Sequence, residues 1–308
     1  MTVNPILAFS ARRRMRSVRT AALITLYGLA VLGFGLLVSF GDFLKPTISL
    51  YTMGAGQEGY AAMMIFQFFL LLLVTPAMTA GAISGERERQ TLDLLLVTHT
   101  GSLRIVLGKL LECLGIMMLL VFATLPAMCL ALITGGMTLP QVLEGLLFLG
   151  VTAFAMLSVG MLCSALLRRT VAATVVAYLA VFAIGFITLA PLIGDLSLMQ
   201  GRSDMLYSSN YGGPGILPAA EETDIRLTSF ILNPALGLLS LIAAQTGLLR
   251  STLSSYSYNM YQLYDYMDFA GMARLSMLFM FCAGAVLDLL AACFVRPRKA
   301  RVRKGSKQ

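Results

Sequence analysis

The chain reads as an all-α membrane protein: six transmembrane helices, a short cytoplasmic helix between spans 2 and 3, and a re-entrant or interfacial segment between spans 5 and 6. Three observations predict this. Of 308 residues, 58% are hydrophobic and 12% charged, against about 25% charged in a soluble domain. The mean hydropathy is +0.82. Six stretches hold the roughly 20 apolar residues a helix needs to cross about 30 Å of hydrocarbon with every backbone group bonded internally. These runs are apolar on all sides, whereas strands of a membrane barrel alternate polar and apolar over about 10 residues.

The first 19 residues form a basic lead with Arg12, Arg13, Arg14, Arg16 and Arg19. The apolar run behind it, Thr20 to Phe40, exceeds a signal-peptide core and lacks a small-residue cleavage site, so it is expected to remain as span 1. Span 2 is read as Tyr60 to Ile83, span 3 as Val106 to Thr134 and span 4 as Gln141 to Leu167. Thr170 to Ile193 and Leu275 to Val295 complete the six-span membrane block of residues 20–295, followed by a basic tail, 296–308.

Charge decides the status of a seventh apolar run, Phe230 to Leu249. With six spans and both termini cytoplasmic, 18 of the 23 Lys and Arg lie inside, as the positive-inside rule requires. A seventh crossing would put one strongly basic terminus on the wrong side. The run is therefore read as re-entrant or interfacial, with Asn233-Pro234 marking a bent entry. It belongs to an external segment, 195–272, in which Tyr256, Tyr258, Tyr261, Tyr264 and Tyr266 suit an interfacial aromatic belt. The net charge of +8 follows the same topology and attraction to anionic lipid rather than nucleic-acid binding.

Between spans 2 and 3, residues 84–105 interrupt the apolar pattern. Gly85 is expected to end span 2, because Glu86, Arg87, Glu88 and Arg89 cannot continue into hydrocarbon. From Gln90 to Val97, residues Leu92, Leu94, Leu95, Leu96 and Val97 would give a short surface helix a sticky face.

Polar residues within spans are few. Gln67 and Pro76 in span 2 and Asp288 in span 6 are candidates for a translocation path. Asp288, roughly 12 Å of helix from Arg296, is read first as snorkelling or pairing with a basic residue near the inner face. Glu112 and Glu144 are placed at span ends. Pro76 and Pro126 are expected to kink their helices, and Gly81 with Gly85 to permit close helix approach. All five cysteines, Cys113, Cys129, Cys163, Cys282 and Cys293, fall in spans and read as small packing residues.

The string Gly85 to Arg89, with Thr91 to Leu96 and Gly108 to Leu110, resembles the coupling region of type-2 ATP-binding-cassette (ABC) exporter permeases. The lead Asn4-Pro5-Ile6-Leu7, Arg14-Met15-Arg16, Leu26-Tyr27, Thr75-Pro76 and Arg168-Arg169-Thr170 are similar to the same family. The likeness covers most of the chain, weakest from Ser197 to Phe269, and departs at His99-Thr100, where a proline turn is expected. It implies a multi-pass subunit of the cytoplasmic membrane that pairs with itself or a sister permease. It also implies cytosolic ABC ATPase subunits docked on a coupling helix: Glu86, Arg87, Glu88 and Arg89 give polar contacts while Leu92, Leu95 and Leu96 fill a groove. ATP and Mg would be bound by that partner, and the chain itself is expected to bind no cofactor and no metal.

The chain carries no Gly-x-x-x-x-Gly-Lys-Ser/Thr phosphate loop; Gly101 to Lys109 has six residues between its glycines. Gly54 to Gly59 matches a dinucleotide fingerprint but no strand precedes it. Two rival classes stand beside an ATP-driven exporter. An intramembrane enzyme would need partners for the only histidine, His99, and an ion-driven carrier would need internal repeats and intramembrane charges, which are sparse.

Overall fold

The computed structural model describes residues 18–43, 55–90, 102–133, 136–195, 197, 227–247 and 267–295. The expected lead segment, the leucine face at Leu92, Leu95 and Leu96, the tyrosine cluster and the basic tail lie outside them. Six helices among the described residues are long and apolar enough to cross a membrane: Thr20–Val38, Gly56–Glu88, Ser102–Cys129, Leu139–Leu166, Thr170–Asp195 and Phe269–Phe294.

In chain order the elements are α1 (Val18–Phe43), α2 (Ala55–Thr79), α3 (Gly81–Glu88), α4 (Ser102–Ala123), α5 (Leu125–Ile133), α6 (Leu139–Leu166), α7 (Thr170–Ile187), α8 (Thr228–Leu232), α9 (Pro234–Thr246) and α10 (Phe269–Phe294). Helix α6 is the axis of the bundle: α2, α4, α7 and α10 all pack on it, and 78% of its most apolar window is buried. Its start is set locally, with Pro140 in the first turn and the Gln141 carboxamide oxygen accepting the Thr138 amide at 2.8 Å. Small residues let neighbours close on it. A Cβ at Gly160 would collide with Thr79 of α2, and one at Gly145 with the Tyr60 hydroxyl and Met64. The core beneath is built from Met63, Met64, Phe68, Leu71, Leu110, Met117, Leu120, Phe148 and Leu149. Leu, Phe and Val side chains cover the outward faces, as expected where lipid is the solvent.

Span 3 is broken at Thr124, just before Pro126, so α4 and α5 meet at an angle point rather than running on as one helix. Span 6 begins six residues earlier than the apolar pattern implied, at Phe269, because Asp268 caps it by accepting the Gly271 amide at 2.7 Å. Arg274 therefore sits inside α10 rather than in the preceding loop. Of the cysteines, only Cys113 and Cys163 are buried packing residues; Cys129, Cys282 and Cys293 are on outward faces, and all are free thiols. Glu112 is not at a span end: it is buried eleven residues into α4, at 7% exposure.

The run expected to be re-entrant forms two helices that break at Asn233-Pro234. Asn233 Oδ1 accepts the Ala235 and Leu236 amides, at 2.8 and 3.3 Å, and so starts α9. Its Nδ2 donates to the Gly185 carbonyl of α7 at 2.9 Å. Asp195, after α7, accepts the Ser229 amide at 2.8 Å and fixes the entry of α8. At the exit, Gln245 donates to the Gln141 carbonyl and to Glu144, both at 3.1 Å, and accepts from the Tyr60 hydroxyl at 3.1 Å. Both ends of the segment thus meet the same end of the bundle while its bend lies deeper, beside Gly185. At 13 residues α9 is about 20 Å long, short of a crossing.

Candidate coupling site

The second candidate span runs 33 residues, about 50 Å of helix, and overshoots a hydrocarbon core of about 30 Å. Its bend comes at Ala80, four residues after Pro76, and not at Gly85. Proline disrupts the hydrogen-bond ladder and opens the helix where α2 ends. Ser164 of α6 then repairs the opening: its Oγ accepts the amides of Ile83 and Ser84, at 2.9 and 3.0 Å. The helix continues through Gly85, where an added Cβ would meet Thr170 at an ordinary 3.5 Å. One interior glycine costs about 1 kcal/mol, and Glu86, Arg87 and Glu88 beyond it find partners that together offset this.

Three of the four charged residues singled out in the sequence turn toward neighbouring helices. Glu86 forms an ion pair with Lys109 of α4 at 2.7 Å. Arg87 donates to the carbonyls of Ala165 at 2.7 Å and Phe294 at 3.3 Å. These carbonyls lie in the last turns of α6 and α10, where backbone oxygens lack intrahelical partners and the helix dipole presents negative charge. Glu88 accepts the Thr170 amide at 3.2 Å and its hydroxyl at 2.9 Å, meeting the positive end of α7. Arg168 adds a second positive charge near Arg87. Arg89 is exposed, and among the described residues its side chain has no partner. Helix α3 ends at Arg89, and Gln90 takes a left-handed backbone with φ of 56°, uncommon for a side-chain-bearing residue.

The candidate path residues lie apart from this joint. Gln67 is fully buried and donates to Thr124 Oγ1 at 2.8 Å, bracing the break between α4 and α5, while the Tyr27 hydroxyl donates to the Gln67 carbonyl at 3.3 Å. Pro76 packs near Gly160. Asp288 does not snorkel: it is 5% exposed and faces α6, where Ser158 donates to its Oδ2 at 2.9 Å. The reason is register, since residue 288 falls on the side of α10 that also buries Gly284 and Ala291. Gly81 meets nothing within 4 Å, so it makes no close helix contact.

Sequence reasoning passed over Ser164, Ser158 and Thr124. Hydroxyls inside apolar helices were the available signal, and Gly160 with Ser164 marks a small-residue face at four-residue spacing.

A family model described as an ABC-2 family transporter protein matches residues 44–205, just over half of the chain and the part that holds α2 to α7. No curated protein matches the chain. The matched residues include the overlong second span and its charged end, within a six-span apolar bundle: the chain belongs to the ABC-2 transporter family and is a membrane permease subunit of an ABC transporter.

Proposed function

We propose that this permease exports its cargo across the cell membrane with both termini cytoplasmic, driven by separate cytosolic ABC ATPase subunits that bind ATP and Mg. The observation that carries the reading is the extension of span 2 beyond bilayer length into α3. A stiff arm that leaves the hydrocarbon and ends in exposed Arg89 can receive a push from outside the membrane and return it to the bundle. Arg89 and the leucine run Leu92, Leu95 and Leu96 are the surface offered to the ATPase; Glu86, Arg87 and Glu88 border it. Gln67, Pro76 and Asp288 are proposed to act on the path through the helices they bend or brace.

Pairing with a second permease, identical or sister, is supported by α7. The span that contains it, Thr170–Asp195, is the least buried of the six candidate spans within the protomer, 6% against 17% for span 1 and 28% for span 6. A partner would cover it.

The test is co-purification from membranes. The native chain should retain a soluble ATPase, and Arg89→Ala combined with Leu95→Ala and Leu96→Ala should lose it. Labelling of a cysteine placed at residue 89 from outside intact cells, or full transport with no ATPase present, overturns the reading.

A further inference from the structure

Helix α3 spends its charges on helix ends in a consistent pattern. The cation Arg87 meets two C-termini, those of α6 and α10, and the anion Glu88 meets one N-terminus, that of α7. Each sign matches the local helix dipole. Glu86 adds an ion pair to α4, and Ser164 fastens the backbone of α3 to α6. The partners of Arg87 lie 78 and 207 residues away in sequence, so the guanidinium ties the end of α3 to both members of the packed α6–α10 pair. Its planar fork sets one terminal nitrogen on each carbonyl, 2.7 and 3.3 Å away, a fixed spacing that the compact ammonium of lysine does not offer. Arg87 is half-buried by these contacts, whereas Arg89, two residues on, is exposed.

We infer that Arg87 is a positioning residue that locks α3, α6 and α10 into one rigid body, so that force applied to the coupling region moves those helices together, and that it does not touch the ATPase. The inference rests on the permease reading above but assigns Arg87 a different task from docking. Arg89 and Arg87 thereby separate into a contact residue and a transmission residue. The Ser84–Ser164 contact is part of the same joint: their hydroxyl oxygens stand 3.4 Å apart. Cysteines at those two positions would bring their sulfurs near each other, and closure of the disulfide is checked by non-reducing electrophoresis.

The experiment needs no known cargo. In a chain with its five native cysteines replaced by alanine, a single cysteine at Leu139, an exposed residue at the far end of α6, is labelled with a membrane-impermeant maleimide. Labelling is followed in nanodiscs holding the co-purified ATPase, where reagent and nucleotide reach both faces of the membrane, with and without ATP plus vanadate. The native joint should show a nucleotide-dependent change in labelling rate. Arg87→Ala should keep the ATPase at native stoichiometry and lose that response about 10-fold or more, the factor that one charge-assisted hydrogen bond is worth. Arg87→Lys should restore part of it. With Arg87 in place, a Ser84→Cys/Ser164→Cys disulfide should leave the response intact, and in the Arg87→Ala background it should recover it. A response abolished by the disulfide alone, an undiminished response in Arg87→Ala, or loss of the ATPase from Arg87→Ala as from Arg89→Ala overturns the inference while leaving the permease reading standing. A native chain that holds no ATPase overturns both.

Discussion

Replacing Gln67 by leucine should leave the bundle as stable as before, or slightly more so. The side chain is fully buried and donates one hydrogen bond, to Thr124 Oγ1 at 2.8 Å, while its Oε1 has no partner among the described residues. Removing the bond costs about 0.6 kcal/mol, and at most about 1.7 kcal/mol, by the scale of hydrogen bonds between membrane helices. Removing an unsatisfied buried acceptor returns about 1 to 3 kcal/mol. Thr124 keeps its own donation to the Val121 carbonyl at 2.7 Å, and Tyr27 bonds the Gln67 backbone, which the substitution leaves in place. Leucine and glutamine have similar volumes, so no cavity opens. The net expectation runs from about 0.7 kcal/mol of destabilisation to about 2.4 kcal/mol of stabilisation, centred on a small gain. Thermal unfolding of the purified chain in detergent, followed by circular dichroism, measures it. A loss above about 2 kcal/mol would refute the reasoning, since Oε1 would then have to carry an interaction. ATP turnover of the complex, measured in parallel, separates bracing of span 3 from a role on the path: preserved stability with reduced turnover assigns Gln67 to transport.

Ser164→Ala should destabilise by about 1 to 3 kcal/mol, because the amides of Ile83 and Ser84 lose their acceptor, and Ser164→Thr should recover part of this in the same melts. Asn233→Ala should cost about 1 to 2 kcal/mol through the lost cap of α9, with Asn233→Asp losing less because it keeps the accepting oxygen. Gly237→Val would force α9 from Ser276 of α10 and from Phe148, an overpacking cost of about 1 to 3 kcal/mol readable as increased proteolysis near residue 233. Asp288→Asn should fold normally, since the Ser158 bond to one oxygen can persist, and a failure to accumulate in membranes would show that the carboxyl's second oxygen holds a cation or proton the amide cannot replace.

Length and apolarity made the six spans readable, because lipid leaves the backbone no alternative to a continuous helix. The bend at Asn233-Pro234 was readable for a similar reason: a capping side chain followed by proline at the first helical position is a local signal. Gly85 misled because the rule that charge leaves hydrocarbon speaks about environment, not helix continuity; the chain can leave the bilayer without leaving the helix. Residues 86 to 88 stood out as charged, yet their partners at Lys109, Ala165, Thr170 and Phe294 depend on which helices adjoin. That information is not local. Glu112 and Asp288 were misplaced for the same reason, as each was judged by its distance from a span end while burial depends on the facing helix. Ser164 was silent because a serine inside a helix can satisfy itself on its own backbone.

The left-handed backbone of Gln90 sits at the tip of an arm whose charges are already tied to four other helices. For a residue with a Cβ this conformation costs about 1 to 2 kcal/mol, which glycine would not incur. Glycine at that point would ease the tip of the arm while leaving those ties in place, so comfort of the backbone and firmness of the joint are separable by a single substitution.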